Sequence, residues 1–190
     1  KKYYTNGKLK SETTYQNGQI ITTKNYNKNG VELKENSLQP ILAQAKNKLV
    51  NGHREGKWLY YLEQNQSITE ESSEAVFYNI ITYRDDTAEG PAYIYYRNGQ
   101  VFEECNYVNG DLDGADKKYY EDGTPMVEMS FSHGKISGVE KTYYENGNLE
   151  TVRPYKANGK ETGTYKEYYE SGKLKRKVSM YKGNFNRIEK

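Results

Sequence analysis

The chain is short of the residues from which ordinary cores and most active sites are made. Its single cysteine excludes an internal disulfide. Its two histidines, His53 and His133, have no second ligand at metal spacing, and no H-E-x-x-H or C-x-x-C pattern occurs, so zinc is not expected. Only 34% of the 190 residues are hydrophobic and the mean hydropathy is -1.09, so a conventional core would be thin. No apolar run approaches the roughly 20 residues of a membrane-crossing helix. The net charge of +2 is too small by itself to point to nucleic acid or a membrane. Neither G-x-x-x-x-G-K-[ST] nor G-x-S-x-G is present. Ser132-His133-Gly134-Lys135 matches S-x-x-K without its companion motifs, and Asp111-Leu112-Asp113-Gly114 resembles a fragment of a calcium loop without EF-hand spacing. Both read as turns. No acid/base pair stands out among many carboxylates, so no enzyme, metal or cofactor is expected.

What is abundant is tyrosine, 21 residues, and glycine, 17, against 4 prolines. Turn-makers and amphipathic rings in place of leucine argue against a helical bundle, and the aromatic content argues against disorder. A folded, all-β chain is the expectation.

The tyrosine recurs at a fixed period. The pairs Tyr95-Tyr96, Tyr119-Tyr120, Tyr143-Tyr144 and Tyr168-Tyr169 stand 24, 24 and 25 residues apart. Each pair is followed by a glycine (Gly99, Gly123, Gly147, Gly172), then by an aromatic (Tyr107, Phe131, Tyr155, and Tyr181 one place late). A second glycine comes at Gly110, Gly134, Gly159 and Gly183, and a third at Gly114, Gly138 and Gly163. The unit reads as strand, tight turn, return strand and second turn. Asn98-Gly99, Asp122-Gly123 and Asn146-Gly147 predict type I′ hairpin turns, whose two central residues both need positive φ. A lone hairpin is marginal in water, so the units must stack edge to edge.

Residues 1–92 follow the same grammar irregularly, with Tyr3-Tyr4, Gly7, Tyr15 and Gly18 in step and Trp58, Tyr60 and Tyr61 following Gly52 and Gly56. Residues 64–74 read as a polar loop before a strand resumes at Ala75-Val76-Phe77-Tyr78. One segment changes period: Leu38, Ile41, Leu42, Ala45 and Leu49 lie on one helical face, with Ser37 as N-cap and Pro40 in the first turn. A short helix over 38–49 is expected, lying on the sheet or docking on a partner.

The phrases Tyr-Tyr-Glu-Asn-Gly-Asn-Leu-Glu at 143–150, Tyr-Tyr-Glu-Ser-Gly-Lys-Leu-Lys at 168–175 and Asn-Gly-His-Arg-Glu-Gly-Lys-Trp at 51–58 resemble the MORN repeat variant (membrane occupation and recognition nexus). That variant is found in bacterial proteins commonly labelled the YwqK-like antitoxin family. The resemblance is clearest over 90–183. It implies an elongated, single-layer antiparallel β-meander of stacked MORN-type hairpins with one short inserted helix. Residues 1–190 form one domain in this reading, irregular over 1–92 and regular, in 24- to 25-residue repeats, over 93–183. It also implies interaction with a protein, such as a toxin or an envelope protein, or with a membrane.

Alternation places the first tyrosine of each pair on the face of the residue two before it. Tyr93 with Tyr95, Lys117 with Tyr119, Lys141 with Tyr143 and Lys166 with Tyr168 then form a ladder of rings and ammonium groups. Such a ladder suits an acidic peptide, a glycan or an anionic lipid headgroup, or it shields a thin sheet. The second tyrosines, at 61, 96, 120, 144 and 169, are the expected packing rings. Val101, Cys105 and Tyr107 align with Pro125, Met129 and Phe131 on one apolar face, with Cys105 a small packed hydrophobe. From Lys173 to Lys190 seven basic residues face one acid, a net +6 that suits an acidic partner or edge protection.

Together these readings give a non-enzymatic protein-interaction module, which the resemblance makes one of antitoxin or immunity type, with a cell-envelope glycan or anionic-lipid binder as the alternative and nucleic acid not expected. A chain beginning at Lys1 is that of a trimmed protein or of one freed of its leader, and a secretory leader would place it at the cell envelope or outside the cell.

Overall fold

The alternating segments between glycine turns become strands in the computed structural model, which describes residues 1–4, 7–16, 18–26, 30, 32–33, 42–63, 67–69, 77–181 and 184–189. Strands β1 (Lys2–Tyr3), β2 (Leu9–Gln16), β3 (Gln19–Tyr26) and β4 (Glu32–Leu33) pair in chain order as one sheet. The second sheet has 15 strands. It starts with β5 (Lys48–Val50), β6 (His53–Leu62), β7 (Ser67–Ile68), β8 (Phe77–Arg84), β9 (Thr87–Ala88) and β10 (Gly90–Tyr96). It continues with β11 (Val101–Val108), β12 (Asp111–Leu112), β13 (Gly114–Tyr119), β14 (Pro125–Ser132), β15 (Lys135–Tyr143) and β16 (Leu149–Tyr155). It ends with β17 (Thr164–Tyr168), β18 (Leu174–Tyr181) and β19 (Asn184–Glu189). Every pairing is antiparallel and neighbours in the sheet are near neighbours in the chain, so the expected open meander is what forms.

Two turn families alternate, and their chemistry is the reverse of the sequence expectation. After each of the four tyrosine pairs only the glycine has positive φ (+86° at Gly99, +81° at Gly123, +83° at Gly147, +81° at Gly172), and its N–H donates to the carbonyl of the second tyrosine at 2.7–2.9 Å. This is a three-residue loop, a type I turn closed by a left-handed glycine. The Asn or Asp before the glycine serves a different purpose. Asn98, Asp122 and Asn146 each accept, at 2.9 Å, the amide two residues on, a local side-chain turn that needs no positive φ. The type I′ turns lie between hairpins, at Asn51-Gly52, Asp85-Asp86, Asn109-Gly110 and His133-Gly134, where both residues have positive φ. The 25-residue unit carries a three-residue loop at 157–159 in place of that two-residue turn, with the Gly159 N–H on the Lys156 carbonyl at 2.9 Å.

Consecutive units are tied at both ends. The register shifts at Tyr95, Tyr119, Tyr143 and Tyr168, a bulge at the first tyrosine of each pair. The carbonyl there accepts the phenol of the preceding unit's second tyrosine: Tyr96 to Tyr119 at 2.7 Å, Tyr120 to Tyr143 at 2.7 Å, Tyr144 to Tyr168 at 2.8 Å. Tyr4 donates to the Tyr26 carbonyl at 2.8 Å in the first sheet. At the opposite end an acid preceding a positive-φ glycine accepts the next turn's amide: Glu55 from Asp85 (3.1 Å), Glu89 from Asn109 (2.9 Å), Asp113 from His133 (3.0 Å). Gly110 and Gly134 add amide bonds to the Ala88 and Leu112 carbonyls, 2.9 Å each.

Burial is sparse, as the composition requires. Leu59, Ile80 and Tyr95 form the core cluster, with Leu42, Ala45, Tyr61, Tyr78, Tyr93 and Val101 packed against it. Leu42 and Ala45 thus lie on the sheet, but the expected helix does not run to 49. Residues 38–41 are outside the described residues, Leu42 alone is helical, and Lys48 and Leu49 belong to β5. The Asn51-Gly52 turn pairs Leu49 with Arg54, leaving Leu49 exposed. Asn47, at φ +46°, ends the helical backbone and clamps β6 by accepting the Leu59 amide (2.7 Å) and donating to the Leu59 carbonyl (3.2 Å). In the expected loop, 64–66 and 70–74 lie outside the described residues, while Ser67–Ile68 pairs with β6 as a strand. Tyr61 stands opposite Tyr78, which stands opposite Tyr95, so it matches the first tyrosine of later pairs and not the second.

Replacing Tyr144 by Phe removes one inter-unit bond and leaves its ring, and is expected to lower the unfolding free energy by about 1 kcal/mol. Tyr169→Phe, at a half-exposed ring with no such acceptor among the described residues, stays within about 0.5 kcal/mol. Urea denaturation of the two variants checks this, and equal losses would refute the linking role.

Candidate functional site

The predicted ladder lies on one face of the large sheet. Cross-strand register aligns Tyr93, Glu104, Lys117, Glu128, Lys141, Val152, Lys166 and Lys177 in a row from β10 to β18. Because the strands alternate, these side chains share a side.

Tyr93 and Tyr95 belong to the core end of that face. Tyr95 is only 8% exposed, and Tyr93 stacks on it with centroids 6.0 Å apart. These two predicted ligand-binding rings belong to the core: Tyr95 is a member of the buried cluster, and Tyr93 packs against that cluster, as do Leu42 and Ala45.

Lys117 with Tyr119 and Lys141 with Tyr143 are brought together as foreseen, each around a carboxylate. Tyr119 donates to Glu104 at 2.7 Å with Lys117 Nζ 3.7 Å from the same oxygen. Tyr143 donates to Glu128 at 2.8 Å with Lys141 Nζ at 3.8 Å. Burial, and then the adjacent carboxylate, pushes both phenols up to about 12. The lysine side chains stay nearly half exposed, so the ladder offers cations over a fixed carboxylate row. Glu104 and Glu128, 24 residues apart, are the functional residues that attention to rings and cations missed. The third position of their series is Val152, so Lys166 and Tyr168 have no carboxylate in register.

The opposite face holds a second polar group. Glu103, Cys105, Asp116 and Lys118 lie around β11 and β13, where Lys118 Nζ is 3.1 Å from Glu103. Cys105 is half-buried, and burial, followed by Asp116 and Glu103, pushes its thiol up to about 12, which keeps it protonated. Asp116 is 3% exposed and one of its carboxyl oxygens has no hydrogen-bond partner. Burial first, then Glu103, pushes its carboxyl up to about 6. Val101 is not on the Cys105 face as expected: the bulge at Phe102 turns it into the Tyr95 core.

The remaining candidates are structural. His53 Nδ1 and Arg54 Nε bind Asp86 at 2.7 and 2.9 Å and fix the Asp85-Asp86 turn; the Arg54 amide and guanidinium, with His53, hold Asp86 down at about 2. In the basic C-terminal stretch Lys175 and Arg176 both reach Glu167, at 2.6 and 3.2 Å, so part of that charge is already paired.

A profile of the MORN repeat variant matches residues 1–17, 88–109, 112–133, 136–157 and 161–182. No curated protein matches the chain.

Asp116 gives a pH dependence. Its folded value, about 6, exceeds its ordinary 3.8, so its favourable contribution is complete below pH 3.8 and is lost as the pH rises through 6. Asp116→Asn should therefore stabilise the protein at pH 7, by about 1–3 kcal/mol for relief of an unpaired buried carboxylate, and leave it near wild type at pH 3.5. Thermal unfolding at both pH values checks the sign.

Proposed function

Since the chain belongs to the MORN repeat variant family, whose matched segments cover more than half of it, we propose that it is a non-enzymatic module that holds a protein partner on its lysine and tyrosine face. MORN repeats are in general protein- or membrane-interaction modules. The observation that favours a protein is the row of alternating sign, Glu104, Lys117, Glu128, Lys141, across four adjacent strands. An anionic bilayer or an acidic glycan meets repulsion at every second position of that row. A protein strand or loop can present the complementary alternation, which gives register and specificity more than raw affinity. The phenols, already committed to Glu104 and Glu128, fix those carboxylates in place and so prepare the row before a partner arrives. In this reading the finer role is that of an antitoxin or immunity protein, with a toxin as the bound partner.

The test is affinity capture by the tagged chain from its source cells, wild type against the triple variant Lys117→Ala, Lys141→Ala, Lys166→Ala. A stoichiometric protein whose recovery falls at least tenfold in the variant is the expected result. A wild type that captures no protein above a control, or a partner retained in full by the variant, would overturn the reading. Flotation with anionic phospholipid vesicles in place of protein capture would then favour a membrane ligand.

A further inference from the structure

Resting on the protein-partner reading, we infer that Lys166 and Tyr168 form a carboxylate-binding subsite that takes a Glu or Asp side chain from an acidic segment of the partner. The repeat itself defines the missing group. In two successive units a carboxylate sits 2.7–2.8 Å from a tyrosine phenol and 3.7–3.8 Å from the lysine two residues before it. That carboxylate comes from Glu104 opposite Lys117 and from Glu128 opposite Lys141. In the next unit the same register puts Val152 opposite Lys166. Both donors are kept and the acceptor is replaced by methyl groups.

No neighbouring acid fills the gap among the described residues. On the other side of Lys166 stands Lys177, a second cation, which has Glu189 opposite it in register on β19. Glu167 alternates to the far face, where Lys175 and Arg176 hold it. Glu150, the extra residue of the bulge at Tyr143, accepts from Thr142 on that far face at 2.9 Å. Thr164, two residues from Lys166, lies 3.3 Å from Ser179 across the strands. Lys166 and Tyr168 are themselves only partly buried, so the position is reached from the face of the sheet.

One phenolic donor and one ammonium beside Val152 match a single carboxylate, the group that occupies the preceding two units. The setting adds charge complementarity: the stretch from Lys173 to Lys190 carries net +6, which draws an acidic segment to this end of the row.

A fluorescein-labelled hexaglutamate peptide, titrated with the full chain at low salt and followed by anisotropy, tests the subsite. Val152→Glu supplies the carboxylate in cis; it should weaken peptide binding at least tenfold while leaving the melting temperature unchanged or higher. Tyr168→Phe, which keeps the ring, should weaken binding about threefold, and Lys166→Ala about tenfold. Lys173→Ala removes the same charge from an exposed turn and should change affinity less than twofold. Wild-type affinity in Val152→Glu, or a loss in Lys173→Ala equal to that in Lys166→Ala, would overturn the subsite in favour of diffuse charge attraction. No peptide binding by wild type, with binding of anionic phospholipid vesicles, would overturn it in favour of a lipid. The two readings separate cleanly: a captured cellular partner that survives Val152→Glu sinks the subsite alone, whereas peptide binding abolished by Val152→Glu, with no protein captured from cells, sinks the partner alone.

Discussion

The hydrogen bond from the second tyrosine of one unit to the bulged carbonyl of the next is the constraint on which the rest of the sheet depends. With Leu59, Ile80, Ala92, Tyr95 and Val178 the only buried hydrophobic residues among the described ones, hydrophobic burial cannot fix how one hairpin sits on another. The first tyrosine stands opposite the bulged residue and one place beyond the last register pair with the preceding strand, where a carbonyl left unpaired is costly. A phenol is long enough to reach across the turn and satisfy it, and its ring fills the space beside the turn. The period follows: the donor and acceptor stand 23 or 24 residues apart, so a unit of any other length breaks the bond unless the extra residue is absorbed elsewhere. The 25-residue unit absorbs it in the loop at 157–159, at the far end of the hairpin.

That far end has its own logic. Glu55, Glu89 and Asp113 each precede a positive-φ glycine and cap the following turn. The residue at the next such place is Ser137, which is not an acid, and the turn that would have used it is the lengthened one. Where an acid caps the following turn, that turn is therefore a two-residue type I′ turn.

Much of this was legible in the sequence, because paired tyrosines and glycines at a 24-residue period leave little choice but stacked hairpins. The turn types were not. Asn-Gly fits a type I′ turn and equally fits the end of a type I turn, where the asparagine bonds the backbone two residues on. Which one forms depends on the residues left between paired strands, and the bulge, a tertiary feature, sets that number. The helix failed at Leu49 for a similar reason: apolar spacing favoured it locally, while the Asn51-Gly52 turn and the Asn47 clamp on Leu59 gave Lys48–Val50 ladder bonds. Of the ladder, Lys117, Tyr119, Lys141 and Tyr143 were legible from alternation alone. That Tyr93 and Tyr95 are packing rings follows from the Leu59–Ile80–Tyr95 cluster, which residues distant in the chain, Leu42 and Ala45 among them, come together to build and which no periodicity encodes.

A repeat array also carries information where it departs from its own rule. Along the row the charges alternate until Val152, after which two lysines face each other, Lys166 and Lys177. Like charges directly opposite on adjacent strands destabilise a sheet, whereas a glutamate at 152 would continue the pairing of the two preceding units. Neither lysine is buried, so the like charges are not shut away from water. Sheet stability therefore gives no preference for a valine over a glutamate at this position, whereas the carboxylate proposed from the partner would continue the row there.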